Sequence, residues 1–413
     1  MLGQHHKDSR LAWVVAFGAH LCKLLHDGLL KSFGVMLPSL SSEFNTSNWV
    51  VGLSISLMIV VGGLFAVIAN PFLKRFQPRL LLIVFAILIF IGFILCAFSS
   101  SWTTFSIALI VVIGIPLRLS WYLMLTSLAD YFEKHYTVAN SIAYLGSSVA
   151  LVIFAPLTQY LLNTYGLKGT LLVLGSISLH VSICGAVLKS SKSYQNITYS
   201  SDSNEENNFT SYIWKVVKEI FDTKLFVQPL FLAMLAAEFG TQYCFAGWVI
   251  YLVSYATSIG LSPYYATTLS ASGGAGSFIG TLAISLIFKI TDNTVYVFMS
   301  FLAIAGFSLL IYPLSSSFPI LVAASFVFGM AVNACMVACM VLAKSLEGHQ
   351  SSIVAWIICA SSFGRLLAGF LTGWIRDVTG SYIISFMILG GVMLSSTCVF
   401  AVLACIGITK RTS

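Results

Sequence analysis

Ionisable residues are scarce in this sequence, and acidic ones nearly missing: 14 Asp and Glu and 21 Lys and Arg stand among 413 residues, 8% of the chain. An ordinary soluble domain carries roughly 25%. With 58% of residues hydrophobic and a mean hydropathy of +0.94, a soluble globule is excluded. The marks of catalysis are also missing. There is no paired-His metal spacing, no Gly-rich phosphate loop and no Ser-His-Asp arrangement outside the apolar runs, so neither an enzyme nor a metal or cofactor is expected, nor a nucleic-acid partner. The 9 cysteines all fall inside apolar runs, which predicts no structural disulfide.

What is present is a series of long apolar runs broken by turn residues and charges. The first six lie near 11–38, 47–73, 80–98, 102–130, 137–163 and 168–188. Residues 189–223 are polar and rich in Ser and Asn, too hydrophilic for hydrocarbon, and read as a linker. Six more runs follow near 224–254, 262–289, 293–314, 317–346, 351–375 and 382–408. At about 20 residues per crossing the prediction is an all-α membrane protein of 12 transmembrane helices. Its N-terminal six-helix bundle is 1–188, its cytoplasmic linker 189–223 and its C-terminal six-helix bundle 224–413.

Cytoplasmic loops collect Lys and Arg. With both termini inside, fifteen basic loop residues fall on the cytoplasmic side, against only Lys168 and Arg376 on the other. That orientation puts the sequon at Asn45 outside, open to glycosylation, and keeps those at Asn196 and Asn208 inside. The first run is too long for a cleavable leader and is expected to open the membrane domain.

Four basic side chains fall within the spans, Lys23, Lys31, Arg118 and Arg365, against two acidic ones well inside, Asp27 and Glu238; Asp130 sits at a helix end. A charge at the bilayer centre costs at least ~2.5 kcal/mol, so these groups pair or face a wet cavity. The excess of cations points to an anion site that a carboxylate would complete. In the first run His20, Lys23, Asp27, Lys31 and Gly34 share a stripe about 80° wide at 100° per residue, predicted to face that cavity. Flanked by Lys23 and Lys31, Asp27 reads as an ion-pair partner more than as a lone proton carrier; a structural Lys-Asp-Lys ladder is the alternative.

Arg118 and Arg365 lie near the middles of the fourth and eleventh runs. Arg keeps its charge and grips a carboxylate with two parallel hydrogen bonds, which makes this pair the leading anion anchors; tying helices together through Glu238 or backbone carbonyls is the alternative. Glu238 is a candidate proton acceptor. It equally suits a substrate ammonium, with Phe239, Tyr243, Trp248, Trp121 or Tyr122 supplying a π-face, or a cross-bundle pair with either Arg. His20, His26 and His180 are candidates for relaying protons, with interhelical hydrogen bonding the commoner role of a lone intramembrane His. Paired glycines at 62–63, 273–276 and 280, and 364, 369 and 373 allow close helix approach; Pro38, Pro116 and Pro156 mark kinks or ends.

Three stretches carry a resemblance. "DSRLAWVVAFGA" is similar, through Asp8, Ala12 and Trp13, to an Asp-Gly-Gly-aromatic-Gly-Trp signature, degenerate here because Ser9 and Arg10 replace the glycines. "YFEKHYTVANSIAYLGSSVA" matches through Tyr131, Phe132, Lys134, Ala139, Gly146 and Ser147. "GWIRDVTGSYIISF" matches through Gly373, Trp374, Asp377, Thr379, Gly380, Tyr382 and Phe386. On these the chain resembles the monocarboxylate transporter family, a branch of the major facilitator superfamily, as a divergent member.

The resemblance implies two six-helix bundles around a midplane site, the family's first-helix lysine at Lys31, and an immunoglobulin-type single-pass partner at the plasma membrane. It also exposes a departure. Proton-coupled members carry an Asp and an Arg four residues apart on the eighth helix, and the corresponding positions here read Ser277 and Thr281, so the family's usual proton route is not carried over. The sixth run is most similar to members that move carnitine, creatine or similar zwitterions.

The expectation is therefore a multi-pass plasma-membrane carrier of a small organic monocarboxylate working by alternating access. Substrate-binding candidates are Lys31, Arg118, Arg365, Trp121, Tyr122 and Tyr243; Asp27, Glu238 and Lys23 are candidates for proton or charge coupling. Uncoupled transport of an amino acid, aromatic acid or zwitterion stays open, and a non-transporting sensor or scaffold ranks below both.

Overall fold

Serine and proline set the start of several helices. Ser9, Ser101 and Ser262 accept the free amides of Ala12, Thr104 and Tyr265, and Pro78, Pro229 and Pro263 stand in first turns where no amide hydrogen is needed. The computed structural model describes residues 8–73, 76–132, 135–188, 223–291, 293–344, 346 and 350–405. The predicted linker short of Thr223, the sequons at Asn196 and Asn208, and counted basic residues such as Lys7, Lys74, Arg75 and Lys134 lie outside the described residues.

The elements are α1 (Arg10–Glu43), α2 (Asn48–Leu73), α3 (Pro78–Ala97), then α4 (Trp102–Ile107), a π-helical stretch (Ala108–Gly114) and α5 (Ile115–Tyr131) in one continuous run. Next come α6 (Tyr136–Ser178) and α7 (Val181–Val187). After a 3-10 turn at Thr223–Val227 follow α8 (Pro229–Ser258), α9 (Pro263–Ile290), α10 (Thr294–Ile311), α11 (Phe318–Lys344), α12 (Gln350–Thr379) and α13 (Ile383–Cys405). No strand occurs among the described residues.

Among the described residues ten segments are long and apolar enough to cross a membrane. One of them, Val138–Val187, has 50 residues, more than twice a single crossing. Gly166 breaks it, with φ 66 and ψ −173 inside α6, a conformation L side chains avoid; the break falls between the fifth and sixth predicted runs. Helix α1 is not among the ten, because Lys23, Asp27 and Lys31 interrupt its apolar run. It also continues through Pro38 to Glu43, where the sequence suggested a kink or end. Asn45 then turns the chain with a positive φ of 47 and is exposed.

The π-helical stretch was not foreseen. Pro116 lacks the amide hydrogen that would close an α-helical bond and its ring crowds the preceding turn; a wider turn just before it absorbs both effects. Arg118 stands directly after this irregularity.

Burial separates the helices into two kinds. In α3 the exposed side chains Leu80, Val84, Ile87, Leu88, Ile91 and Leu95 are as apolar as the buried Phe85, Ile89 and Phe93 on the other face, the pattern of a helix between protein and lipid. In contrast, residues 25–37 of α1 and 240–256 of α8 are buried all round. These two are the innermost helices.

The resembling stretches meet at the helix ends. The amide of Asp8 donates to the Tyr131 carbonyl and its carboxylate accepts the His135 amide, while Trp13 packs edge-on against Phe132 at 5.1 Å. At the opposite end the Trp49 amide donates to Asp377 at 3.3 Å, joining α2 to α12. Close backbone approach seals this second end. The Tyr251 hydroxyl donates to the Gly369 carbonyl, and a side chain at Gly52 would collide with that hydroxyl and with Gly369. Eight cysteines among the described residues are free thiols.

Glycine also lets α9 lie against α11, where a Cβ at Gly276 would run into the Phe326 carbonyl. Gly276→Val is expected to destabilise the fold by about 1–3 kcal/mol through overpacking. A lowered thermal midpoint in detergent checks this, and an unchanged midpoint would refute the close approach.

Candidate functional site

One cavity gathers most of the intramembrane charge. It encloses about 550 Å³ of empty space, counting the part open to solvent, and brings together Lys23 of α1, Arg118, Trp121 and Tyr122 of α5, Glu238 of α8 and Arg365 of α12. Sequence reading had named all six. Tyr144, Gln242 and Ser361 complete the polar lining, with Leu125, Met336, Met340, Ile357 and Ile358 as its apolar part. Those residues were missed. For Gln242 a signal existed: it follows Glu238 by four residues and shares its helix face. The same geometry explains why Tyr243 is absent from the lining, since five residues turn it about 140° away from Glu238; it stacks instead on Phe239 at 6.5 Å.

The predicted stripe on α1 divides. Only Lys23 lines the cavity. Its ammonium pairs with Asp27 at 2.9 Å and sits 4.9 Å from the Trp121 ring centre and 5.3 Å from that of Tyr144, so the chain's own cation already occupies these π-faces. Asp27 lies behind it and also bonds His26 Nδ1 at 2.7 Å. His20 turns to the Ile142 carbonyl at 2.9 Å. Lys31, eight residues or about 12 Å further along α1, is fully buried and donates to the Val249 carbonyl at 2.8 Å. Gly34 likewise faces Val249 and Ile250. This upper part of the stripe therefore joins the seal between α1 and α8, and the Lys-Asp-Lys ladder stops at Lys23.

The two arginines keep their charge unspent. Among the described residues neither Arg118 nor Arg365 forms an ion pair, although both are buried, at 7% and 3% exposure. Arg365 Nε donates to Gln242 Oε1 at 2.8 Å and its Nη1 has no hydrogen-bond partner among the described residues. Gln242 Nε2 in turn donates to Glu238 Oε1 at 2.7 Å. The Lys23–Asp27 pair is neutral as a unit, which leaves two guanidinium groups facing one carboxylate. A buried donor without an acceptor costs about 1–3 kcal/mol, more when charged, so a carboxylate entering this space would be stabilised.

The positions that replace the resembling family's eighth-helix ion pair lie elsewhere. Ser277 donates to the Gly329 carbonyl at 3.0 Å and Thr281 accepts from Asn333 at 2.6 Å; Asn333 also reaches Ser148 at 3.3 Å. This junction of α6, α9 and α11 is a neutral amide and hydroxyl cluster outside the cavity lining.

The family model described as Major Facilitator Superfamily matches residues 19–346. Rat monocarboxylate transporter 13 is 24% identical over 94% of this chain and 88% of its own length. Mouse monocarboxylate transporter 2 is 26% identical over 94% and 83%, and mouse monocarboxylate transporter 12 is 23% identical over 98% and 88%.

Proposed function

The chain belongs to the Major Facilitator Superfamily as a divergent, monocarboxylate-transporter-like member, and from that premise we propose that it is an alternating-access carrier of a small organic monocarboxylate. The observation that carries this reading is the pair Arg118 and Arg365, on α5 and α12, lining one cavity without an ion pair among the described residues. A monoanion balances their charge against Glu238. Trp121 and Tyr122 flank the anion, while Lys31 acts at the seal and meets the substrate only when α1 and α8 separate. Glu238, with the Lys23–Asp27 pair beside it, is the group that responds to proton or substrate.

In this reading the chain crosses the plasma membrane twelve times with both termini in the cytoplasm, as two bundles, 1–188 and 224–413, joined by the linker. The break at Gly166 and the helix α1 support that count. The Asp377 end then faces outward, Asn45 with it, and the contacts of Lys31, Tyr251 and Gly369 lie on the outer side of the cavity. An ancillary immunoglobulin-type single-pass partner is part of this proposal through the resemblance of the sequence to the monocarboxylate transporter family.

The Glu238 carboxylate in the same lining favours a second reading, uncoupled movement of an amino acid or other zwitterion whose ammonium it would meet. Uptake of radiolabelled lactate, pyruvate, carnitine, creatine and aromatic acids into proteoliposomes, at two pH values and with or without a membrane potential, separates the two. The leading reading expects saturable uptake of at least one monocarboxylate in preference to the zwitterions. Uptake of zwitterions alone, or of nothing in the panel, would overturn it.

A further inference from the structure

Glu238 and Arg365 are opposite charges in one buried space, and their helices touch: a Cβ at Gly364 would collide with the Phe239 carbonyl. In such a place a direct, two-pronged ion pair is the expected arrangement. It does not form. Gln242 stands between them, its amide nitrogen on the carboxylate at 2.7 Å and its amide oxygen on Arg365 Nε at 2.8 Å. The chemistry of the two neighbours fixes this orientation of the amide, since a carboxylate demands the NH₂ group and a guanidinium demands the oxygen.

The consequence concerns charge. A neutral side chain satisfies one nitrogen of Arg365 and one oxygen of Glu238 without neutralising either residue, and Arg365 Nη1 is left without a partner at 3% exposure of the residue. We propose that Gln242 is a positioning residue that keeps Arg365 available to an incoming anion by holding it away from Glu238. The proposal rests on reading this cavity as the anion site. Removing the amide lets the guanidinium swing onto Glu238, and substrate must then compete with an internal carboxylate.

The test is a double-mutant cycle on anion uptake into proteoliposomes, using whichever of pyruvate, lactate or benzoate the wild-type protein takes up fastest. Gln242→Leu is expected to raise KM about 10-fold, the scale of one hydrogen bond to a charged group, with Vmax changed far less. In a Glu238→Gln background, where no competing carboxylate remains, the same substitution is expected to move KM less than about twofold, because the coupling between the sites is gone; where that background no longer turns over, the anion concentration that half-protects the protein against thermal unfolding is read in place of KM. An equal rise in both backgrounds, or a rise in neither, overturns the proposal. Arg365→Gln is measured alongside: if it leaves KM unchanged, Arg365 is no anion anchor and this inference fails, and if none of the three probes is transported the anion-site reading fails with it.

Discussion

Arg365→Gln is expected to lower anion uptake at sub-saturating concentration by at least about 30-fold, the effect of truncating one partner of a buried charge pair at 2 kcal/mol or more. The size follows from where Arg365 sits. Its guanidinium is buried, bonded to a neutral amide and free of any ion pair among the described residues, so bound anion would supply its countercharge. Glutamine preserves much of the volume and removes the charge. Arg365→Lys restores the charge without the planar fork and should recover only part of the loss. Arg118→Gln should act in the same direction, and because both arginines would contact one anion, the double variant should fall short of the sum of the two effects. Initial-rate uptake across a substrate series checks all four variants. Normal transport by both single Gln variants would remove the anion site from this cavity.

The second large effect is on stability. Asp27→Leu is expected to destabilise the folded protein by about 3–5 kcal/mol, because it leaves the buried ammonium of Lys23 without its anion. Asp27 holds Lys23 at 2.9 Å and His26 at 2.7 Å, and both it and Lys23 are only 3–4% exposed. Removing both charges together has a different outcome. Lys23→Met with Asp27→Leu is expected to recover most of the loss, since apolar replacement of a whole buried pair is often neutral. Thermal unfolding in detergent and the yield of monodisperse protein measure the contrast. If the double variant is as unstable as Asp27→Leu alone, the pair is not the unit that holds α1 in place. Transport does not enter this measurement, so it stands apart from any assignment of cargo.

Much of the lining of the candidate site was legible before any coordinates. Charged residues in apolar runs are expensive, so their positions drew attention without knowledge of their neighbours, and Lys23, Arg118, Glu238 and Arg365 do share one cavity. The error lay in treating the α1 stripe as a single surface. Helical phase predicts which way a side chain points and says nothing of what lies opposite at each level; over about 12 Å along the helix the neighbour of α1 changes from open cavity at Lys23 to the backbone of α8 at Lys31. Gln242 escaped notice for a related reason. Its four-residue spacing from Glu238 places it on the same face, but an uncharged residue draws less notice than an ion, and its second contact exists only because Arg365, 123 residues away in sequence, arrives at its amide oxygen.

The amino-acid sequence alone determined that the chain lies in a membrane, where its helices run and which of its charges are out of place, because these follow from hydropathy, turn residues and the cost of moving an ion into oil. Tertiary structure alone decided which charges pair. Arg365 meets Glu238 only through an intervening amide, Arg118 pairs with no carboxylate among the described residues, and Lys31 turns from Asp27 to the backbone of α8. Pairing depends on distances of a few ångströms between helices remote in sequence, and the pattern along each helix does not contain them.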